Sequence, residues 1–330
     1  MLSQITIAEA TNLCLKALVT NGLNESDAHI ITEHLIDNET AGFSSHGLYR
    51  VPRIVNSIKQ SDTPTEIIFE VETNNSILLN GGNRQGLVVA LKGAEVAVAK
   101  AKSANVGVVG GYRYVGTTGV MGYFTRQIAN AGLIVIMLAN SEASIPAWGG
   151  TQPLFGTNPI SISIPSKDKP IVVDLATSQW TYGDLAIAMK EGRRIPEGIV
   201  LGKDGNPSTD PNDADTGSML PFGGHKGYAL ALAFEILAGP LVRAKAGAMA
   251  VPGSNGFFIL AFDPTTFTNP DQFRSQVDSL IREIKGSKRR PGVSEIYYPG
   301  EQSELKRAQS LTRGYIEIND QILADVKALL

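Results

Sequence analysis

Ala41-Gly42-Phe43-Ser44-Ser45-His46-Gly47-Leu48-Tyr49-Arg50-Val51-Pro52-Arg53 separates two stretches of helical periodicity. Upstream, Asn24-Glu25-Ser26-Asp27 opens a helix whose apolar residues Ala28, Ile31, Leu35 and Ile36 recur at helical spacing. Downstream, Val51, Ile54, Val55 and Ile58 share one side of another helix. The connector is small and polar, and it holds one of only four histidines in the chain. Gly47 leaves room beside His46, and Ser45 can orient the ring. Arg50 follows one turn later with a planar fork suited to a carboxylate.

Outward from this segment the chain alternates helices and strands. Residues 3–38 read as helical, with Thr6 as a cap and Gly22 as a stop. Residues 66–80 alternate polar and apolar positions as strands do. An Ala-rich helix over 87–105 leads to a strand at 106–109, and a helix over 118–131 leads to an apolar strand at 133–138. Strands follow at 160–164 and 171–173, then a short helix at 185–191 and a Gly/Pro/Asp/Asn loop over 204–217. Residues 226–241 read as a buried helix, 257–262 as a strand and 271–285 as an amphipathic helix, and the last helix begins near Asn319. The class is α/β with mixed strands.

The 330 residues are 43% apolar, and the net charge is −3 with dispersed basic residues, which does not suit a nucleic-acid binder. No apolar run reaches the ~20 residues of a membrane span, and the first residues lack the pattern of a signal peptide. The single cysteine, Cys14, reads as a core thiol and points to a reducing, cytoplasmic setting. No G-x-G-x-x-G, no G-x-x-x-x-G-K-[ST] and no H-x-E, H-E-x-x-H or C-x-x-C occurs. A standard Rossmann dehydrogenase, a P-loop enzyme and a conventional zinc site are therefore disfavoured. His29 and His34, on a helix near acids, read as structural or solvated. His46 with Arg50 reads either as a helix cap or as a proton donor beside a carboxylate clamp, which is what reduction of a 2-oxo acid requires. The residues alone leave these two readings level.

The order of several strings resembles one family. Ser45-His46-Gly47 with Arg50 is similar to the S-H-G-x-x-R signature of the malate/L-lactate dehydrogenases that lack a Rossmann fold. The family includes ureidoglycolate dehydrogenase, diketogulonate reductase, sulfolactate dehydrogenase and Δ1-piperideine-2-carboxylate reductase. Pro146-Ala147-Trp148-Gly149-Gly150, Gly156-Thr157-Asn158-Pro159 and Val173-Asp174-Leu175-Ala176-Thr177-Ser178 continue the likeness. Gly223-Gly224-His225-Lys226-Gly227 and Pro299-Gly300-Glu301 complete it. The resemblance implies a non-Rossmann α/β fold of the L-sulfolactate dehydrogenase type. It would have a largely antiparallel cofactor-binding sheet, a helical N-terminal region and a homodimeric assembly. It also implies a substrate and dimerisation domain over 1–115, an NAD(P)-binding domain over 116–285 and a C-terminal segment, 286–330, that packs back on the first.

The resemblance implies roles as well. His46, with Ser45 beside it, would exchange a proton with the substrate, and Arg50 and Thr157 would bind the substrate carboxylate. Ser141, Asp174, Leu175 and Ala176 would line the cofactor. His225 and Lys226 would lie against the adenosine ribose, and Gly300, Glu301 and Gln302 against the other side. The basic pair at 225 and 226 favours NADPH, with NADH as the alternative. Tyr114 stands where many members carry a second histidine, and its phenol is a poor base at neutral pH. Asp184 stands where the cyclic imino acid reductases of the family carry an acid, although it also suits a cap for the helix at Leu185. These features favour an NAD(P)H-dependent reductase of a cyclic 2-imino acid or a 2-oxo acid. The alternatives are a 2-hydroxy acid dehydrogenase and a degenerate member that binds a metabolite without turnover.

Overall fold

The computed structural model describes residues 2–251 and 253–330. The first two helices of its N-terminal layer start at side-chain caps. Thr6 and Glu9 form a reciprocal capping box for the helix Ile7–Thr20. Asn24 caps the helix Glu25–Thr40, and Pro52 lies in the first turn of the helix Val51–Gln60. Cys14 is buried between the first two helices, where Thr32 donates to its sulfur, and burial pushes the thiol up to about 12. The chain end returns to this layer. Strand Tyr315–Asn319 pairs antiparallel with Leu2–Thr6, and the helix Asp320–Lys327 packs on the first helix.

The second layer is a sheet of seven strands. In spatial order they are Ile68–Glu72, Ser76–Asn80, Val106–Tyr112, Phe257–Phe262, Ile134–Ala139, Ile160–Ile164 and Ile171–Leu175. Only Ser76–Asn80 and Val106–Tyr112 are parallel, and the helix Gly86–Ala104 makes the crossover that a parallel pair requires. Every other neighbouring pair is antiparallel. The expected largely antiparallel, non-Rossmann sheet is present. Phe257–Phe262 alternates buried and half-buried side chains at the sheet centre.

Three features depart from the sequence reading. Leu2–Thr6 is a strand, because its backbone pairs with a partner more than 300 residues away that no local pattern reveals. A helix Glu301–Arg313 and the strand Tyr315–Asn319 fill a region in which the sequence pattern marked no element. The helix His225–Ala238 is buried on one face only, through Gly227, Ala231, Phe234, Glu235 and Ala238, while Leu230, Leu232 and Ile236 are exposed. The seven-stranded sheet draws strands from both sides of residue 115, the boundary that the resemblance implies. Backbone hydrogen bonds join Val106–Tyr112 to Phe257–Phe262, so the two sides form one layer.

Close packing of the crossover helix on its strand depends on missing side chains. A Cβ at Gly107 would lie 2.4 Å from the carbonyl oxygen of Ala97 in that helix. Backbone cannot yield as a flexible side chain can. Gly107→Ala should therefore destabilise the protein by about 1–3 kcal/mol, the usual cost of overpacking. The check is the midpoint of chemical or thermal unfolding, and an unchanged midpoint would contradict this packing.

Candidate functional site

His46 sits in a turn built by the end of the preceding helix. Ser44–His46 and Leu48–Arg50 are successive 3₁₀ turns. Asn38, in the last turn of that helix, donates its amide to the carbonyl of His46 at 3.0 Å. The carboxylate of Glu39, 6% exposed, accepts the backbone N–H of Leu48 at 2.7 Å. A Cβ at Gly47 would lie 2.2 Å from that carboxylate, so only glycine fits between Glu39 and the turn. Burial pushes the Glu39 carboxyl up to about 7, against the opposing hydrogen bonds from Leu48 and Ser44.

The ring of His46 has two contacts that assign its tautomer. Arg50 Nη2 lies 3.3 Å from Nε2, and Ser45 Oγ lies 3.1 Å from Nδ1. Arginine only donates, so Nε2 is the bare acceptor and Nδ1 carries the hydrogen toward Ser45. Burial, then the charges of Arg50 and His34, lower His46 to about 3. Arg50 is held by its own Nε, which donates to Ser45 O at 2.8 Å. Gly183, at the start of the helix Tyr182–Lys190, closes the other side, where a Cβ would lie 2.9 Å from Ser45 Cβ.

On the sheet side, hydrogen bonds tie together strings far apart in sequence. The hydroxyl of Ser141 accepts the N–H of Thr157 at 3.1 Å. The carbonyl of Thr157 accepts both the N–H and the hydroxyl of Thr177 at 2.8 and 2.9 Å. The carbonyl of Thr177 accepts the N–H of Phe222 at 2.9 Å, and Phe222 leads into Gly223-Gly224-His225. Asn158 has φ +29 and is anchored from below, its amide donating to buried Glu235 at 2.6 Å.

A cleft of about 250 Å³ lies between the His46 layer and the sheet edge. Asn38 and Phe43 line one wall, Gly122 and Asp174 another, and Gly300 and Ser303 a third. Asp174 Oδ2 accepts the N–H of Gly122 at 2.6 Å. Solvent reaches this residue through the cleft, yet protein closes around its carboxyl group and pushes it up to about 7. Gly300 has φ +88 and lies against Val172, which brings Pro299-Gly300 beside the Asp174 strand. Leu175 is exposed at 40% and Ala176 half-buried on the same edge.

His225 and Lys226 are exposed at the start of the helix His225–Ala238. Gly223 and Gly224 both have positive φ, no side chain caps this end, and the N–H of Lys226 bonds the carbonyl of Gly223 at 3.4 Å. Trp148, 59% exposed, meets His225 edge-on at 6.1 Å. An uncapped helix start, a lysine and an exposed aromatic suit a nucleotide with phosphate groups. The residues present therefore fit a nicotinamide dinucleotide. Among the described residues no group of three or more His, Cys, Asp or Glu side chains could hold a metal ion.

Several sequence-based candidates lie elsewhere. Tyr114 is 1% exposed, packed near Phe257 in the core, and burial raises its phenol far above the usual range. It is not among the residues that line the cleft. Asp184 does not cap its helix. Thr181 does, and its hydroxyl bonds the Asp184 carboxylate at 2.7 Å. Glu301 is engaged by Lys285 and by the N–H of Tyr298, and of the trio 300–302 only Gly300 lines the cleft. Asn38, Glu39, Gly122, Ser303 and Trp148 were missed as site residues. Acids and amides on a helix carry no local signal of such a role, whereas Trp148 lay inside a string already noted.

Comparison with known proteins gives the family and the fold. The malate/L-lactate dehydrogenase family model matches residues 5–327. A malate/(S)-sulfolactate dehydrogenase of Methanothermus fervidus is 37% identical, with 98% of this chain and 96% of that protein aligned. The solved sulfolactate dehydrogenase of Methanocaldococcus jannaschii superposes with a TM-score of 0.89 at 31% identity, over 99% of this chain and 96% of that one. The Δ1-piperideine-2-carboxylate reductase of Pseudomonas syringae also superposes with a TM-score of 0.89, at 27% identity, over 99% of this chain and 100% of that one. With family strings brought together around one histidine, one arginine and one cleft, the chain belongs to the malate/L-lactate dehydrogenase family and is an NAD(P)-dependent oxidoreductase.

Proposed function

We propose that the protein interconverts a small 2-hydroxy acid and its 2-oxo acid, with His46 exchanging the hydroxyl proton. The carrying observation is the pair formed by His46 Nε2 and Arg50 Nη2 at 3.3 Å, beside a cleft that suits a nicotinamide. When bound, the nicotinamide supplies or accepts the hydride at C2. Arg50, with Thr157, holds the substrate carboxylate and so sets C2 next to the imidazole. Neutral His46 is ready to take the hydroxyl proton on Nε2, while Nδ1–H stays on Ser45. A carboxylate on Arg50 offsets the positive charge that helps to lower His46. Proton affinity therefore rises when substrate is in place, which serves the reductive direction as well. Asp174 and Gly300 line the cofactor cleft, and Ser141, Leu175 and Ala176 belong to the same edge.

The cyclic imino acid reading rests on Asp184 and on the likeness to the piperideine-2-carboxylate reductase. The bond from Thr181 gives Asp184 a structural partner, so the hydroxy acid reading takes precedence. A second copy of the chain covers exposed apolar side chains such as Leu230, Ile236, Leu241 and Met249, all at least 40% exposed, giving a homodimer. The lone buried thiol of Cys14 suits a cytoplasmic setting.

His46→Ala should lower kcat by roughly 10²–10⁴-fold, the range of a general acid or base, with cofactor affinity nearly unchanged. For oxidation by the unmodified protein, the acid limb of kcat/KM should fall well below pH 6.5, because His46 is held near 3 and stays neutral above that. Near-normal turnover in the variant, or a limb at pH 6.5, would remove His46 from this role. The cofactor is NADPH on this reading, through His225 and Lys226 at the helix start. In a fluorescence titration Lys226→Gln and His225→Tyr should weaken NADPH more than NADH, and an unmodified protein that prefers NADH would overturn the assignment. Asp184→Asn should leave 2-oxo acid reduction within about twofold, since the amide still accepts from Thr181. A selective loss on a cyclic imine would restore the imino acid reading.

A further inference from the structure

Of the three walls of the cofactor cleft, one carries a carboxylate that is bonded to both of the others. Asp37 stands in the last turn of the helix Glu25–Thr40, directly before Asn38 and Glu39, which hold the His46 turn. Its Oδ1 accepts Nη2 of Arg126 at 2.7 Å, from the helix Met121–Asn130. Oδ1 and Oδ2 also accept Nε and Nη2 of Arg307 at 2.9 and 3.0 Å, a two-point grip from the helix Glu301–Arg313. All three side chains line the cleft.

The helix itself gives no reason for this acid. A helix C-terminus carries partial negative charge, which disfavours an acid in the last turn, and this turn holds no basic residue. Among the described residues the carboxylate has no hydrogen bond or ion pair besides those from Arg126 and Arg307. The chain of charges then continues around the cleft. Arg307 also bonds Glu304, and Glu304 pairs with Lys169 at 3.3 Å, just before the strand Ile171–Leu175. On that strand Asp174 accepts the N–H of Gly122, in the helix that bears Arg126. The contacts close a ring around the cleft, and Asp37 is its link to the His46 turn.

Neutral bonds dock the same helices as well. The hydroxyl of Ser310 donates to the carbonyl of Thr40 at 3.1 Å, and the N–H of Val120 donates to buried His34 at 3.2 Å. Bringing the helices together therefore does not depend on Asp37 alone. What it adds is their spacing at the cleft.

We infer that Asp37 is a positioning residue, which holds the two cofactor-facing helices in register with the His46 turn and so keeps cofactor and imidazole aligned on one substrate. The inference rests on the reading of His46 and the cleft given above. Asp37 takes no part in proton or hydride transfer.

The test uses Asp37→Asn, which keeps the shape and removes the charge, beside Arg307→Gln, Arg126→Gln and the double variant of Asp37 and Arg307. NADPH binding is read by fluorescence titration, and kcat by reduction of pyruvate or oxaloacetate. Asp37→Asn should lower kcat by roughly 10–100-fold, the cost of a misplacement of about 1 Å, with NADPH affinity within about threefold. An isotope effect from NADPH deuterated at C4 should be expressed in that lowered kcat, because hydride transfer becomes the slow step. Arg307→Gln, which loses the two-point grip, should match Asp37→Asn, the double variant should be no worse than either, and Arg126→Gln should lose less. An unchanged kcat, whatever happens to NADPH affinity or the unfolding midpoint, would reduce Asp37 to charge balance or packing and overturn the assignment. A lower kcat without the isotope effect would overturn it too. If Asp37→Asn does not fold, the two arginine variants decide by the same readings. If neither keto acid turns over in the unmodified protein, the hydroxy acid reading fails and hydrogen exchange decides the positioning. NADPH should then slow exchange across residues 43–50 in the unmodified protein and not in Asp37→Asn, and equal slowing in both would overturn the assignment.

Discussion

Glu39 puts a carboxylate where a side chain from Gly47 would otherwise be, and the His46 turn is folded over that contact. The acid is nearly buried, accepts the N–H of Leu48 and stands beside Asn38, whose amide grips the carbonyl of His46. A buried carboxyl group is costly unless hydrogen-bonded, and here the bonds come from the loop it supports. The result is a His46 turn held by the end of a helix rather than by loop contacts alone. Such a mounting gives a side chain the fixed geometry that proton transfer needs.

The opposing wall is organised by a relay of hydrogen bonds rather than by one buried group. Ser141, Thr157, Thr177 and Phe222 come from four separate segments, yet each is bonded to the next. Glu235 holds Asn158 from below, and so steadies the residue beside Thr157. The antiparallel sheet makes this possible, because Ile160–Ile164 and Ile171–Leu175 run side by side and deliver Asp174 to the cleft edge. The uncapped start of the helix His225–Ala238 follows directly from the segment bonded to Thr177.

Electrostatics divide the labour between the two walls. Burial keeps His46 neutral and raises Glu39 and Asp174, so the groups nearest the proposed reaction carry less charge than their types suggest. Positive charge is concentrated instead at Arg50 and its neighbours, where an acid group would bind. A neutral base beside a cationic clamp suits a substrate that is anionic and loses its proton from a hydroxyl group.

Sequence alone determined whatever depends on residues close in the chain or on strings peculiar to the family. The Thr6 cap, the Asn24 cap, the strand at Phe257–Phe262 and the His46–Arg50 spacing were all legible, because caps, periodicity and one-turn spacing are local properties. The family strings also marked Asp174, Thr157 and His225 as neighbours in function. The tertiary structure decided what depends on long-range contact. Leu2–Thr6 is a strand because Tyr315–Asn319 pairs with it, and Phe257–Phe262 joins strands from either side of residue 115 into one sheet. Tyr114 left the site for the core, Asp184 gave the cap to Thr181, and Glu39 became the support of His46. The physical reason is the same in each case: burial and pairing are set by which surfaces meet in space, and the residue types of one segment carry no record of the segment they will meet.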